Sequence, residues 1–328
     1  MQPLGRVGML SLIIPLYKSE EGLSRLLAEL LKLQQQLLPE SFEAVFVVDG
    51  SPDRCYQILA ERLPCVPLRS QLITLSRNFG SFAAIAAGLR SACGDIFAVL
   101  AADLQEPPEL VLEFARILRA NDADVCFGVR AGRTDPWLAE LMSTAFWNLY
   151  RRFVIKDMPP GGVDIFGCNR VVRDQLLSLP EVNSNLIALL FWVGFRRRFV
   201  SYRRMPRLEG KSAWTFSKKL KYSFDSIFNF TDLPIQGLLA AGLGTSVLSI
   251  VLGSIVVWGR LRGSIQTAGY TPIVLMIMFF GGLTALGLGI VGQYLWLSLQ
   301  NSRQRPNFIV HTVQSFSENT SREENPGK

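Results

Sequence analysis

The sequence predicts an α/β protein: a doubly wound, mostly parallel sheet, then interfacial helices, then a two-helix transmembrane hairpin. Three observations predict it. Short apolar runs alternate with amphipathic stretches through the first part of the chain. Polar residues recur just past the ends of those runs. Two long uncharged runs, Ile235–Trp258 and Thr271–Leu299, come later, each exceeding the roughly 18–20 residues that cross a bilayer core.

The elements follow in order. Leu10–Pro15 reads as the first strand and Gly22–Leu38 as an amphipathic helix. Phe42–Val48 is the second strand, with a helix near Asp53–Leu63. Gln71–Leu75 is the third, followed by a helix over Ser81–Cys93. Ile96–Ala102 and Val125–Val129 are further strands, with a helix over Pro108–Ala120 between them. Pro136–Phe153 reads as a longer helix with aromatic residues on one side. Ala213–Phe230 mixes Trp214, Phe216, Tyr222, Phe224, Phe228 and Phe230 with lysines. That composition suits a helix lying at a membrane interface better than an ordinary packed helix. The expected division is 1–212 as a catalytic domain, 213–234 as interfacial helices, 235–299 as the hairpin and 300–328 as a polar tail, disordered after Val313.

Charge and composition narrow the class. The glycines of the second run, Gly281, Gly282, Gly287, Gly289 and Gly292, suit close helix contact in a membrane better than a soluble helix. Lys218, Lys219 and Lys221 precede the first run, and Arg303 and Arg305 follow the second. Only Arg260 and Arg262 lie between, so the positive-inside rule puts the large domain in the cytoplasm. Met1–Met9 is short, contains Pro3 and shows no signal-peptide pattern. The five cysteines, Cys55, Cys65, Cys93, Cys126 and Cys168, are scattered and read as reduced thiols. The one histidine, His311, lies beyond the apolar runs, so zinc sites and Ser-His-Asp catalysis have no histidine in the catalytic domain. The net charge of +7 fits anionic lipid heads and phosphorylated substrates. Nucleic acid is disfavoured because no nucleic-acid motif is present. A dinucleotide enzyme is disfavoured because no G-x-G-x-x-G follows the first strand.

Four strand ends carry candidate site residues. Pro15-Leu16-Tyr17 follows the first strand and Val47-Val48-Asp49-Gly50-Ser51 the second. Ser76-Arg77-Asn78-Phe79-Gly80 follows the third, and Ala101-Ala102-Asp103-Leu104-Gln105-Glu106-Pro107-Pro108 the fourth. In an open α/β sheet such ends face one crevice, where ligands bind. Taken alone, Asp103 reads equally as a turn and helix cap, whereas Asp49-Gly50-Ser51 reads as a site more readily than as only a turn, given the other strand-end motifs. Arg130 and Arg133 follow the fifth strand, and Arg204 and Arg207 precede Gly210-Lys211-Ser212-Ala213-Trp214. Arginine suits phosphate because its planar fork donates paired hydrogen bonds. The run Arg196-Arg197-Arg198 reads as a solvated or lipid-facing surface.

This ordered set resembles the family 2 glycosyltransferases, specifically the polyisoprenyl-phosphate type, which includes dolichol-phosphate mannose synthase and bacterial undecaprenyl-phosphate glucosyl- and aminoarabinosyl-transferases. The likeness covers roughly residues 10–310, including Gly292-Gln293-Tyr294-Leu295 and Arg305-Pro306. It implies a glycosyltransferase A-type fold and an inverting enzyme of the bacterial inner membrane. Such an enzyme moves a sugar from a nucleotide sugar, here expected to be UDP-linked, to polyprenyl phosphate. It also implies residue roles. Asp49 binds the nucleobase, with Pro15, Tyr17 and Val47 lining the pocket. Ser51 and Arg77 belong to the donor side, and Ala102 meets the nucleotide through its backbone. Asp103 and Gln105 hold Mg²⁺ or Mn²⁺, a hard cation that keeps several waters. Arg130, Arg133, Arg204, Arg207, Lys211 and Ser212 face the acceptor phosphate. Asp164 matches a family carboxylate near the acceptor, counted with Asp103 as catalytic; on sequence alone it is equally a loop carboxylate.

The chain departs from the family pattern in places. Ala101 stands where the first carboxylate of Asp-x-Asp is usual, and Ala213 where a lysine is usual. Ser19 replaces an acidic residue, and Phe166-Gly167-Cys168-Asn169-Arg170 replaces an Arg-Leu-x-Asp-Arg type run. These departures keep a non-catalytic sugar-nucleotide scaffold open as an alternative. A processive polysaccharide synthase is disfavoured by the short chain, the single hairpin and the missing Gln-x-x-Arg-Trp. Oligomeric state, including a homo-oligomer, stays open.

Overall fold

The computed structural model describes residues 8–131, parts of 148–163, 165–179, 186–205, parts of 235–262, 270–303 and 305–317. Arg133, Asp164, Arg207, Lys211 and Ser212, most of the helix expected over Pro136–Phe153, and all of Ala213–Phe230 lie outside the described residues.

The strands are β1 (Leu10–Leu16), β2 (Phe42–Val48), β3 (Ser70–Leu75), β4 (Ile96–Val99), β5 (Val125–Arg130), β6 (Phe166–Asn169), β7 (Arg197–Tyr202) and β8 (Val310–Phe316). The helices are α1 (Leu23–Leu37), α2 (Cys55–Arg62), α3 (Ser81–Ser91), α4 (Glu109–Arg119), α5 (Arg170–Ser178), α6 (Leu186–Trp192) and α7 (Tyr270–Ser302). All eight strands form one sheet, in the order β7-β5-β6-β4-β1-β2-β3-β8. The chain divides into two compact units, residues 1–219 with 306–328, and residues 220–305.

The first unit follows the expected alternation. β2 is buried at every position, as a strand covered on both faces must be. Helix α1 buries Leu23, Leu26, Leu27, Leu30, Leu33 and Leu37, a stripe at helical spacing. Helix α4 buries Leu110, Val111, Phe114, Ala115, Ile117 and Leu118 in the same way. Both stripes join Leu10, Leu12, Ile14 and Leu16 of β1 in the main core. Such alternate strand residues share a face.

Two expectations need correction. The sheet is mixed: β6 runs antiparallel between β4 and β5, and β8 antiparallel to β3. The segment expected as a disordered tail after Val313 instead completes β8, as far as Phe316. His311 therefore belongs to the sheet of the catalytic unit, on an exposed edge position. A polar, period-two stretch has no apolar face to mark it, and the free edge of β3 supplies the pairing.

All five cysteines are free. Burial pushes the Cys55, Cys126 and Cys168 thiols up to about 12, which makes them structural rather than reactive. Arg196 is not a loose surface charge. Its guanidinium donates to both Asp124 oxygens at 3.0 Å, and Asn169 Nδ2 donates to Asp124 Oδ1 at 3.0 Å. Arg197 donates to Asp157 at 3.2 Å, while Arg198 stays exposed.

A polar cluster closes the amino-terminal end of the sheet. Glu43 is 1% exposed. It accepts Ser11 Oγ at 2.6 Å, Gln71 Nε2 at 2.8 Å and the Cys93 amide at 3.0 Å. Ser11 Oγ in turn accepts the Gly94 amide at 2.9 Å. One carboxylate thus joins β1, β2, β3 and the turn before β4.

In the second unit, α7 has 33 residues, about 50 Å at ~1.5 Å per residue. Within it, Phe279–Leu299 is long and apolar enough to cross a bilayer, the one such helix among the described residues. Ile277, Leu288 and Leu295 are 66%, 69% and 66% exposed, so this surface is not packed on protein. At Gly287 a Cβ would lie 3.3 Å from Leu238 Cδ1, so the missing side chain lets the two segments approach.

Two outcomes test this account. Glu43→Ala leaves three donors without an acceptor and is expected to cost about 3 kcal/mol in urea unfolding. The surface pair partner Glu113 is the control, with Glu113→Ala costing less than about 1 kcal/mol. Equal costs would show that the Glu43 cluster is incidental. The second outcome concerns acid. The Arg196 hydrogen bonds hold the Asp124 carboxyl below its usual range. The stability it contributes is therefore present above the unfolded value, about 3.9, and lost as pH falls through the folded one. The gap in urea midpoint between the parent and Asp124→Asn should narrow steadily below about pH 4. A gap that stays constant down to about pH 2 counts against the pair.

Candidate active site

Parallel pairing decides where the site lies. β1, β2, β3 and β4 run the same way, so their carboxyl ends share one edge of the sheet. β6 is antiparallel to both β4 and β5, and β5 is parallel to β7. The ends of β5 and β7 therefore face that edge too. Every described candidate residue lies on this edge or in the strand just behind it.

The second and third strand ends are locked together by Asp49. It is 3% exposed, and its two oxygens accept the Phe79 amide at 2.7 Å and the Gly80 amide at 2.8 Å. Burial raises the Asp49 carboxyl above its ordinary value, against the pull of those two amides and of Arg77. Gly50 makes the contact possible. Its φ is +55°, and a Cβ there would lie 2.3 Å from the Arg77 carbonyl carbon. A carboxylate has further acceptor sites, so Asp49 keeps capacity for a ligand N–H.

The first and second strand ends are stitched as well. Ser51 Oγ accepts the Lys18 amide at 2.7 Å and donates to Asp53 Oδ1 at 2.6 Å. Asp53 accepts the Glu20 amide at 3.1 Å, and Glu20 accepts the Arg54 amide at 2.9 Å. Ser51, read as a donor-side residue, thus has its hydroxyl engaged in holding the loop. Tyr17 is 38% exposed, and the Arg77 guanidinium lies 4.1 Å from the Phe79 ring centroid. Pro15 pairs with Val47 across β1 and β2. Val47 is fully buried near Gly88 of α3. Its side chain belongs to the core behind the edge, not to a pocket lining; burial at a strand end is invisible in a run of valines.

After β4 the chain alternates. Ala102, Leu104 and Glu106 are buried, while Ala101, Asp103 and Gln105 are half-exposed. Positions 101, 103 and 105 therefore present together. Leu104 takes a φ of +50°, and Asp103 Oδ1 accepts the Gln105 amide at 3.3 Å. Gln105 is doubly engaged by the segment after β7. Its backbone carbonyl accepts the Met205 amide at 2.8 Å, and its side-chain carbonyl accepts Arg204 Nη2. Arg204 Nε also lies 4.0 Å from Glu106 Oε1. Arg204 thus sits on the Asp103–Glu106 turn, where an acceptor-phosphate role alone would not place it. At the end of β5, Arg130 pairs with Tyr202 of β7, and the Ala131 amide donates to the Tyr202 carbonyl at 2.7 Å.

Glu106 was not among the expected site residues. It is 3% exposed beside Arg204, and its only sequence signal is a second carboxylate just before Pro107-Pro108. Among the described residues no group of three or more histidine, cysteine or acidic side chains could cage a metal ion. The donors present, the Asp103 carboxylate and the Gln105 carbonyl, are hard oxygens. They fit Mg²⁺ or Mn²⁺ as a partial shell completed by water and a ligand's phosphates, and they do not fit an all-protein cage.

Comparison with known proteins places the chain in a family. The family model described as glycosyl transferase family 2 matches residues 11–178, from β1 to the end of α5. An uncharacterized glycosyltransferase of Synechocystis sp. is 31% identical over 304 residues, 92% of this chain and 94% of that one. Bactoprenol glucosyl transferase of Shigella phage SfV is 28% identical over 302 residues, 92% of this chain and 97% of the other. Among solved structures, mannosyl-3-phosphoglycerate synthase from Rubrobacter xylanophilus aligns with a TM-score of 0.47 at 12% identity, covering 80% of this chain and 78% of that one. The family match takes in β1 to β4 and every loop that carries Asp49 and Asp103, and the relatives run almost end to end: the chain belongs to glycosyl transferase family 2 and is a glycosyltransferase.

Proposed function

We propose that the protein is a membrane-anchored, inverting glycosyltransferase that moves a sugar from a nucleotide sugar, UDP-linked, to polyprenyl phosphate. The observation that carries this reading is the near full-length similarity to bactoprenol glucosyl transferase, a similarity that extends past the catalytic sheet into the apolar segments. The long exposed apolar helix α7 supports the same reading. The anchor is a hairpin of spans 235–258 and 271–299 in the bacterial inner membrane, with the catalytic domain, 1–212, in the cytoplasm.

The chemistry is a single displacement. An acceptor phosphate oxygen attacks the anomeric carbon from the face opposite the nucleotide. The bond from that carbon to the diphosphate breaks, and its electron pair leaves with the diphosphate. The attacking oxygen is already anionic, so no strong base is required, and Asp164 orients the acceptor. Asp49 holds the base while fixing the Ser76–Gly80 loop, with Pro15 and Tyr17 beside it and Arg77 on the donor side. Asp103 and Gln105 would hold Mg²⁺ or Mn²⁺, and the ion, when bound, would neutralise charge on the leaving diphosphate. Arg130, Arg133, Arg204, Arg207, Lys211 and Ser212 receive the lipid phosphate.

The direct test is incubation of the purified protein with radiolabelled nucleotide sugars, undecaprenyl phosphate and Mg²⁺ or Mn²⁺. A labelled lipid product is expected. Binding of a nucleotide sugar with no lipid product across the panel would return the chain to a scaffold. At the residue level, Asp103→Asn should lower turnover on the order of 10²–10³ at saturating metal with the fold intact. Near-parental turnover would remove Asp103 from the site. For topology, a cysteine placed at Ser264 should react with an impermeant maleimide on intact cells, and one placed at Ser321 should not. The opposite labelling would invert the anchor.

A further inference from the structure

We infer that the carboxyl-terminal strand β8 positions the donor nucleotide, acting through the Ser76–Gly80 loop; this rests on the reading that Asp49 and that loop hold the donor. The loop is gripped from two sides. From β2, the Asp49 carboxylate accepts the Phe79 and Gly80 amides at 2.7 and 2.8 Å. From the other side, the Ile309 carbonyl, at the start of β8, accepts the Ser76 amide at 3.0 Å.

The pairing of β8 is shaped for that role. It lies antiparallel on β3 from Ser70 opposite Phe316 to Thr74 opposite Thr312. The register then shifts, so that Leu75 faces Val310. A shift of this kind re-aims a strand at its exit, and here the exit is the donor loop. The Thr74 and Thr312 hydroxyls meet at 2.6 Å beside the shift. Arg90 of α3 lies over the Phe308 ring at 5.2 Å, and Gln314 Nε2 donates to Tyr56 Oη of α2 at 3.2 Å. The strand is thereby tied to the helix that begins where the loop ends.

The strand does little for the core. Ile309, Val310 and Val313 are 53%, 40% and 51% exposed, so apart from Phe316, which packs against the main core at its far end, the strand buries little apolar surface. What it changes is the edge of β3. Without it the Ser76 amide loses its carbonyl, and the loop is held at Asp49 alone. A loop held at one end opens at lower free energy, and ligand affinity falls by the fraction of chains left competent. In sequence the strand follows α7, with residues 303–309 between them. The segment that leaves the apolar helix is thus the one that sets the donor loop.

The test compares the full chain with two variants. One ends at Asn307 and lacks β8. The other, Val310→Pro, keeps the whole chain but disrupts pairing at the register shift. UDP binding is measured by calorimetry, sugar transfer by steady-state kinetics, and exchange of the Phe79 and Gly80 amides by hydrogen–deuterium exchange. In both variants amide exchange should speed up, UDP affinity should fall about tenfold, and KM for the donor should change more than kcat. A synthetic peptide of residues 308–317 should restore UDP affinity to the shortened chain. Parental exchange at Phe79 and Gly80 in the Val310→Pro protein overturns the positioning role. Faster exchange with parental UDP affinity also overturns the inference, and locates the error in the assignment of this loop to the donor. If the shortened chain does not fold, the Val310→Pro measurements decide alone.

Discussion

Parallel pairing of β1 to β4 is the constraint on which the rest depends. A parallel sheet must cross back over its own face between strands, so each carboxyl end opens into a loop on the same edge. Four loops from distant parts of the sequence therefore meet without any contact having to be selected for that purpose. The apolar faces of α1 and α4 then make the arrangement stable, because β2 is buried at all of its positions and tolerates no register slip. The polar chemistry is left to the loop residues, which do not have to pack.

Three carboxylates on this sheet illustrate how environment assigns roles. Glu43 sits at the amino-terminal end with all its donors supplied by the protein. It is a fastening. Asp49, at the opposite end, is nearly as buried, yet its amide partners come from a loop rather than from a strand. It organises a loop of the fold and retains lone pairs at the edge. Asp103 is half-exposed and accepts the Gln105 amide of its own turn, and on the proposed reading it is the carboxylate that meets an ion. The order of increasing exposure is also the order from structure toward chemistry.

Much of this was legible in the sequence because it is written in period and spacing. The strands β1 to β5 and helices α1 to α4 fall within a few residues of the expected ends, since apolar runs and leucine stripes specify them locally. Asp49 and Asp103 were legible because each follows an apolar strand. What the sequence hid depends on partners far along the chain. β8 carries alternating residues but no buried face, so nothing local announces a strand. The antiparallel β6 is short and takes its direction from β4 and β5. Glu106 looks like a helix-leading acid until Arg204, almost a hundred residues on, is seen beside it. Val47 looks like a pocket residue until α3 covers it.

The edge also explains how a family 2 site can work with alanine at position 101. A caged divalent ion needs several protein ligands, and among the described residues no group of three or more histidine, cysteine or acidic side chains could form such a cage. An arginine held on Gln105 makes an ion arriving alone still less welcome, because like charges placed close together near a protein surface repel. A diphosphate reverses that balance. It brings its own oxygens and negative charge to the ion, so on the proposed reading the same turn would accept a cation already bound to the donor. On the proposed reading, Ala101 does not abolish the metal site. It moves most of the ligand set from the protein to the substrate, which makes metal binding conditional on the donor being held, and so conditional on the loop that Asp49 and β8 fix from either side.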